Sequence, residues 1–509
     1  MRALISVSDK TGIVEFASSL QNLGWTLIAT GGTLKKLRDS GLKVIDIQEV
    51  TGFPEICDGR VKTLHPKVHG GLLARRDLKD HMHQIATNGI ETIDMVCVNL
   101  YPFEATIAKD DVTMEEAVEN IDIGGPSMLR SAAKNFRDVT VVCDPADYDI
   151  IIDEIRENGN TLPDTRLKLS AKAYTHTAIY DSHIAQYMRK MAGLPEKLFL
   201  TFDAVQNLRY GENPHQTATF YRNQEEETYS VAYSRQLGGK ELSYNNIQDA
   251  NAALSIVREF CQPFCVALKH MNPCGAGIGK DLNEAWTRAY EADKVSIYGG
   301  IVAVNRPLSA EVALKMKPIF LEIVMAPSFE PDALEILSSK KNLRLLEVKM
   351  DEGKKASKAY TGINGGMLVQ DADMECLALT EGMCVTLRKP SERELEDLNF
   401  AWKIVKHVKS NAIVVAKDGA TAGVGAGQMN RVGSAEIALK EALAAGITEG
   451  LVLASDGFLP FGDTVELASR YGVTAIVQPG GSIRDEDSIK VANEKGIAML
   501  FTGMRHFKH

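Results

Sequence analysis

Over residues 1–150, short apolar runs alternate with amphipathic stretches. "ALISVS" (3–8) reads as a buried strand, "GIVEFASSLQNLG" (12–24) as a helix ending at glycine, and "WTLIAT" (25–30) as a second strand. "TLKKLRDSG" (33–41) follows as a short helix, "KVIDI" (43–47) as a strand, and "IDMVCVNL" (93–100) and "VTVVCD" (139–144) as two more. This alternation predicts an α/β domain with a parallel sheet and helices on both faces. Ligands bind such sheets beyond the carboxyl ends of the strands. Residues 164–192 read as one long helix that joins two modules.

Past Leu200 glycine-rich segments become frequent, among them "LRYGENPHQ", "NPCGAG", "YGGIVAVN" and "GVGAGQMNR". They are read as turns. Strands and helices still alternate between them, "AIVVAK" before "GAGQMNR" and "EGLVLASD" before "GFLPFGD". There is no low-complexity segment, charged tail or short-period repeat. The length of this part exceeds a typical single domain and predicts two α/β lobes. The expected division is 1–146, a helical connector at 147–199, and 200–509.

Composition narrows the class. Of 509 residues, 45% are hydrophobic and 24% charged, an ordinary globular balance. No apolar run approaches the roughly 20 residues that span a bilayer, and "MRALISVSDKTG" lacks the pattern of a signal peptide. The eight cysteines (Cys57, Cys97, Cys143, Cys261, Cys265, Cys274, Cys376, Cys384) are scattered without C-x-x-C spacing. That predicts reduced thiols in a cytoplasmic protein. A net charge of −10 disfavours nucleic acid as a partner but leaves room for a small anion in a locally basic pocket.

Several motifs place such a pocket. "SVSDKTG" (6–12) and "ATGGT" (29–33) each follow a strand and open a helix, where free backbone N–H groups attract anions. Plain N-caps explain either alone; two in one sheet leave both readings open. "DGRVKTLHPKVHGG" (58–71) packs Arg60, Lys62, His65, Lys67 and His69 into what reads as a loop. Pro66 between the histidines argues against a zinc-binding helix. "NLYPF" (99–103) ends a strand with an amide and a phenol, and "DIGGPSMLRSAAKN" (122–135) gives a carboxylate, a Gly-Gly turn and a helix carrying Lys134. Asp122, Tyr101, Lys62 and Lys134 are expected to converge beyond the sheet.

In the second part, "VALKHMNPCGAG" (266–277) sets Lys269 and His270 side by side at a strand end. Adjacent strand residues face opposite ways, so a turn at Pro273–Gly275 is expected to bring both to one substrate. Arg209, Tyr210, His215, Asn411 and Arg431 suit an anionic, aromatic or heterocyclic substrate. The H-x-E plus P-C-x-x-C signature of zinc deaminases is absent.

Together with "MRHFKH" at the end, these motifs occur in the same order in the bifunctional purine biosynthesis family. In that family phosphoribosylaminoimidazolecarboxamide formyltransferase is joined to inosine monophosphate (IMP) cyclohydrolase. The resemblance covers essentially the whole chain. It implies a methylglyoxal-synthase-like cyclohydrolase domain and a two-lobed, zinc-free, cytidine-deaminase-like transferase region. It also implies a homodimer with transferase sites at the interface. The substrates would be the aminoimidazole carboxamide ribotide (AICAR), its formylated form (FAICAR), IMP, and 10-formyltetrahydrofolate as a folate co-substrate. No tightly bound cofactor or metal is implied.

Carried over by motif, the cyclohydrolase site would use Ser6, Ser8, Lys10, Gly31, Gly32 and Thr33 around the phosphate. Arg60, Lys62, Thr63, Asn99, Tyr101, Asp122, Ile123, Gly124 and Lys134 would complete it. The transferase site would use Lys269, His270 and Asn411 in catalysis. Arg209, Tyr210, His215, Asn246, Arg431, Phe458 and Arg505 would bind substrate. Glu322 of "LEIVMAP" stands where some relatives have aspartate, at the pterin's amino edge.

The rival readings are a non-catalytic purine-nucleotide sensor and a one-activity lyase or zinc hydrolase on the same folds. A sensor has no need of a Lys-His pair beside a second anion pocket.

Overall fold

The computed structural model describes residues 1–223, 227–351, 358–375 and 377–509, so Cys376 lies outside the described residues. The seven described cysteines are all unpaired. The chain divides into two compact units, Met1–Thr201 and Phe202–His509.

The first unit opens with β1 (Arg2–Val7), α1 (Ile13–Asn22), β2 (Thr26–Ala29), α2 (Gly31–Asp39) and β3 (Val44–Asp46). Three helices follow, α3 (Ile47–Thr51), α4 (Pro66–Leu73) and α5 (Lys79–Thr87), then β4 (Met95–Asn99). Next come α6 (Phe103–Ile107), α7 (Met114–Glu119), α8 (Gly124–Lys134), β5 (Thr140–Val142), α9 (Tyr148–Asn158) and α10 (Pro163–Met191). The strands form one parallel sheet in the order β3-β2-β1-β4-β5. The apolar runs become its core: β1, β2, β4 and β5 are largely buried, and the edge strand β3 contributes Val44.

Three expectations change. "HPKVHGG" is not loop: Pro66 occupies the first turn of α4, where a missing N–H costs nothing, and His65 caps it by accepting from the Lys67 amide at 3.1 Å. Gly124 and Gly125 are the first helical residues of α8, not a turn before it. The long helix packs on the first unit: buried Arg166 donates to the carbonyls of Phe136, Arg137 and Thr161.

The second unit begins with the ribbon β6 (Asp203–Leu208) and β7 (Ala218–Arg222), then β8 (Arg235–Gly238). A first lobe runs α11 (Tyr244–Val257), β9 (Phe264–Lys269), β10 (Asn272–Ile278), α12 (Leu282–Ala292), β11 (Gly300–Val304) and α13 (Ala310–Met316). It ends with β12 (Leu321–Ala326), α14 (Pro331–Ser338) and β13 (Arg344–Glu347). A second ribbon, β14 (Lys358–Ile363) and β15 (Gly366–Asp371), separates it from the second lobe. That lobe repeats the order: α15 (Glu392–Val405), β16 (Ile413–Lys417), β17 (Ala420–Gly425), α16 (Arg431–Ala444) and β18 (Leu451–Ser455). It closes with α17 (Asp463–Arg470), β19 (Val473–Gln478), α18 (Asp485–Lys495) and β20 (Ala498–Phe501).

Both lobes share one sheet, β20-β19-β18-β16-β17-β10-β9-β11-β12-β13-β8. Gly275 and Gly277 of "NPCGAG" and Gly423 and Gly425 of "GVGAG" lie inside strands, not turns, while Gly427 follows β17 with a positive φ of 66°. A Cβ on Gly275 would stand 2.1 Å from the Ala289 carbonyl of α12, and one on Gly425 1.9 Å from the Ser434 carbonyl of α16. Glycine lets each helix press directly on its strand. Because β10 and β17 are antiparallel neighbours, the β9–β10 and β16–β17 turns lie at opposite ends of the sheet.

Candidate active sites

In the first unit, the carboxyl ends of β1, β2 and β4 gather most of the expected residues. Thr33 locks α2 to β1, accepting from the Val7 amide at 3.0 Å and donating to the Val7 carbonyl at 3.1 Å. Ser6 and Thr30 hydroxyls meet at 2.8 Å. Asn99 accepts from the Ser8 and Asp9 amides at 2.6 and 2.9 Å, which fixes the turn after β1. Lys10 and Lys62 flank the Gly31–Gly32 start of α2: a Cβ on Gly32 would stand 3.9 Å from Lys10 Nζ, and one on Gly31 3.7 Å from Lys62 Nζ. Two cations at a helix N-terminus form an anion cradle.

Beside it, Asp122 accepts from the Gly125 amide at 2.8 Å, while its own amide donates to the Tyr180 hydroxyl of α10 at 2.7 Å. Burial raises the Asp122 pKa, opposed by the Gly125 amide and the Lys62 charge. Lys62 also faces Glu55 at 3.7 Å. Thr63 Oγ1 would stand 2.6 Å from a Cβ at Gly124, so glycine there admits the hydroxyl. Tyr101 and Ile123 are exposed at the rim, and Arg60 pairs with Glu119.

Lys134 does not join them. It ends α8, whose other end holds Gly124, so at 1.5 Å per residue the two are about 15 Å apart. Of the four residues expected to converge, Lys62 acts on Asp122 through its charge, and Tyr101 stays exposed at the rim. His69 is also committed elsewhere, with Nδ1 2.9 Å from Ser131 Oγ and its pKa lowered by burial.

In the second unit the turn is His270–Met271, not Pro-Cys-Gly, since Asn272 already pairs with Lys269. Both turn residues have positive φ, 52° and 62°. Strand alternation therefore stops at Lys269, and His270 projects from a turn. Lys269 Nζ donates to the Tyr298 carbonyl at 3.0 Å. Asn272 ties this turn to the other lobe: its Nδ2 donates to the His270 carbonyl at 3.1 Å and its Oδ1 accepts from the Lys409 amide at 3.0 Å.

Two residues on stands Asn411, whose Oδ1 accepts from Arg431 Nη2 at 2.8 Å and whose Nδ2 donates to the Gln428 carbonyl at 2.9 Å. Arg431 also meets the fully buried Asp456, and Ser410 donates to the same carboxylate. The C-terminal segment docks here, with the His506 amide on the Asp456 carbonyl and Lys508 paired with Ser410. Arg505 stacks on Phe507 at 4.8 Å, and Phe458 is half-exposed nearby in sequence.

The remaining residues are less committed to this cluster. Arg209 lies over the Tyr210 ring at 4.9 Å, both on the exposed β6–β7 loop with His215. Asn246 is buried in a capping box with Ser243, which gives it a structural duty at the start of α11. Glu322 is held by buried Arg344 at 2.6 Å, so its carboxylate already has a cation. Sequence reasoning missed Tyr180, Asn272, Ser410 and Asp456. Among the described residues no group of His, Cys, Asp and Glu is arranged to hold a metal ion.

Comparison with known proteins gives the family. The AICARFT/IMPCHase bienzyme family matches residues 132–441, and the MGS-like domain matches residues 12–127. "Bifunctional purine biosynthesis protein PurH" of Bacillus cereus (strain AH820) is 60% identical over 100% of this chain and 99% of its own. The proteins of the same name from Bacillus anthracis (strain CDC 684 / NRRL 3495) and Bacillus thuringiensis (strain Al Hakam) match to the same extent. A solved structure, "Crystal structure of ForH", is 39% identical over 36% of this chain and 97% of that one, with a TM-score of 0.33. The full-length identity settles the relationship: this chain belongs to the AICARFT/IMPCHase bienzyme family.

Proposed function

We infer that this chain performs the two closing reactions of IMP synthesis. It is an AICAR formyltransferase, using 10-formyltetrahydrofolate as co-substrate, and an IMP cyclohydrolase that closes the second ring of FAICAR. The observation that carries the transferase assignment is the His270 turn beside Lys269, tied through Asn272 to the Asn411–Arg431 segment.

The AICAR amine is a poor nucleophile, because its lone pair is delocalised into the imidazole and the carboxamide. His270 takes the amine's proton as it attacks the formyl carbon. Lys269 stabilises the oxyanion and supplies a proton to the departing folate nitrogen. Asn411 is oriented by Arg431 towards the same substrate, while Arg209 and Tyr210 hold the ribotide. In ring closure, the carboxamide nitrogen attacks the formyl carbon of the same molecule, so proximity supplies much of the rate. The Gly31–Thr33 helix start, with Lys10 and Ser8, holds the phosphate. Lys62 faces the developing oxyanion, and Asp122 and Tyr101 move protons as water leaves.

The assembly is a homodimer in the cytoplasm. The β14–β15 ribbon supports a second copy: Tyr360, Ile363, Met367, Leu368 and Val369 are all exposed, a large apolar patch for a lone chain. No described helix is long and apolar enough to cross a membrane. The test is direct. Purified protein given AICAR and 10-formyltetrahydrofolate forms IMP, read by absorbance and mass; ligand binding without turnover would contradict the proposal.

A further inference from the structure

His270 and Met271 both occupy the left-handed backbone region, which glycine adopts freely and asparagine, aspartate and histidine tolerate better than most, whereas a methionine there costs about 1–3 kcal/mol. The corresponding turn of the second lobe, Asp418–Gly419, has the same positive φ signs, 55° and 69°, with the residue pair such hairpins prefer. The first lobe therefore needs something to hold an unfavourable turn. In the second lobe the Asp397 carboxylate of α15 accepts from the Asp418 and Gly419 amides at 2.9 and 2.7 Å. In the first lobe Asp249 of α11 takes that place, accepting from the Met271 amide at 2.8 Å. Burial raises the Asp249 pKa, and the Met271 amide and His270 oppose that rise, which puts the carboxylate against the turn. Asn272 grips the opposite side through the His270 carbonyl.

We propose that Asp249 is a positioning residue for formyl transfer: its hydrogen bond to the turn backbone holds His270 where its imidazole serves the substrate. Asp249 need not touch the ribotide. The inference rests on His270 being the transferase base, and the matched aspartates separate the two ideas. Asp249 and Asp397 do the same backbone work, yet only one supports a turn that carries the reactive side chain.

The experiment measures formyl transfer and FAICAR cyclisation for Asp249→Ala, Asp249→Asn, Asp397→Ala and His270→Ala in the full chain, with melting temperature alongside. Misplacing a catalytic group by about 1 Å costs up to roughly 10²-fold. Asp249→Ala is therefore expected to lower transfer kcat about 10–100-fold with little change in KM for AICAR. Asp249→Asn keeps an oxygen acceptor and restores most of the rate. Asp397→Ala lowers melting temperature but leaves transfer kcat within about twofold. Cyclisation is unchanged in all four. If Asp249→Ala does not fold, Asp249→Glu, which displaces the acceptor while keeping its charge, is expected to show the same kcat loss. Normal transfer in the Asp249 variants with His270→Ala inactive overturns the inference alone. Equal kcat loss in Asp397→Ala also overturns it, since the effect would then belong to the fold. Normal transfer by His270→Ala overturns the underlying assignment and the inference together.

Discussion

The two lobes of the second unit are copies of one plan with different duties. From the start of the first helix to the end of the hairpin, equivalent residues stand 148 apart: Ser243 and Ser391 cap the helices, Asp249 and Asp397 hold the turns, and Lys269 and Lys417 end the strands. Each lysine donates to a loop carbonyl, Lys269 to Tyr298 at 3.0 Å and Lys417 to Glu449 at 2.9 Å. Gly275 and Gly277 press on α12 as Gly423 and Gly425 press on α16. The difference is confined to what the scaffold presents. One turn reads His-Met, the other Asp-Gly. Where a conserved plan replaces the residues its geometry prefers with ones it strains to hold, the replacement marks chemistry.

Lysine at the strand end is the largest test of that contrast. Lys269→Met keeps the stem but deletes the charge, and transfer turnover is expected to fall by about 10²–10³-fold, the usual worth of an oxyanion donor. Lys417→Met leaves turnover within about twofold, although it loses the same backbone contact. Equal effects at both positions would erase the distinction between the lobes.

A second test uses Glu259 and His407, which follow the paired helices at equivalent positions and face each other at 3.2 Å. Burial alone would raise the Glu259 pKa, but His407 and Lys406 outweigh it and hold it at about 2. Burial pushes His407 down to about 4, against the pull of Glu259. The unfolded imidazole takes up a proton near its ordinary 6.5, so stability falls as pH drops from 6.5 towards 4. The Glu259 contribution is present above its ordinary 4.5 and is lost as pH falls from there towards 2. Glu259→Gln leaves Lys406 without its buried partner and is expected to cost about 3 kcal/mol at neutral pH. It also flattens the acid limb below 4.5. Thermal melts across pH read both, and an unaltered melt would show that this pair does not join the lobes.

The smallest expected effect belongs to the helix caps. Asn246→Ala removes a capping-box partner and is expected to lower stability by roughly 1 kcal/mol with transfer kcat near normal. A large kcat loss without a stability change would return Asn246 to the substrate site.

The first-unit sheet was legible because its strands are short apolar runs between amphipathic helices. Pro66 and Gly124–Gly125 misled, since proline and glycine also begin helices when they fall in the first turn. The motif residues of both sites were readable one by one, but their distances were not. Lys134 sits at the wrong end of a helix that the sequence shows only as a periodicity. The duplication was present as Asp249, Asn251, Lys269, Gly275 and Gly277 recurring at Asp397, Asn399, Lys417, Gly423 and Gly425. A search for short periods passes over an interval that long. Asp249 and Asn272 stayed hidden because backbone hydrogen bonds leave no spacing signature.

The central claim is that the His270 turn performs formyl transfer and its Asp418 counterpart does not. His270→Ala and Asp418→Ala, each assayed for AICAR formylation with FAICAR cyclisation as internal control, test it most directly. The account predicts a loss of about 10²–10⁴-fold in transfer turnover for His270→Ala, the usual worth of a positioned base. For Asp418→Ala it predicts near-normal transfer, and for both variants normal cyclisation. Near-normal transfer by a folded His270→Ala protein with the formyl donor saturating would contradict it.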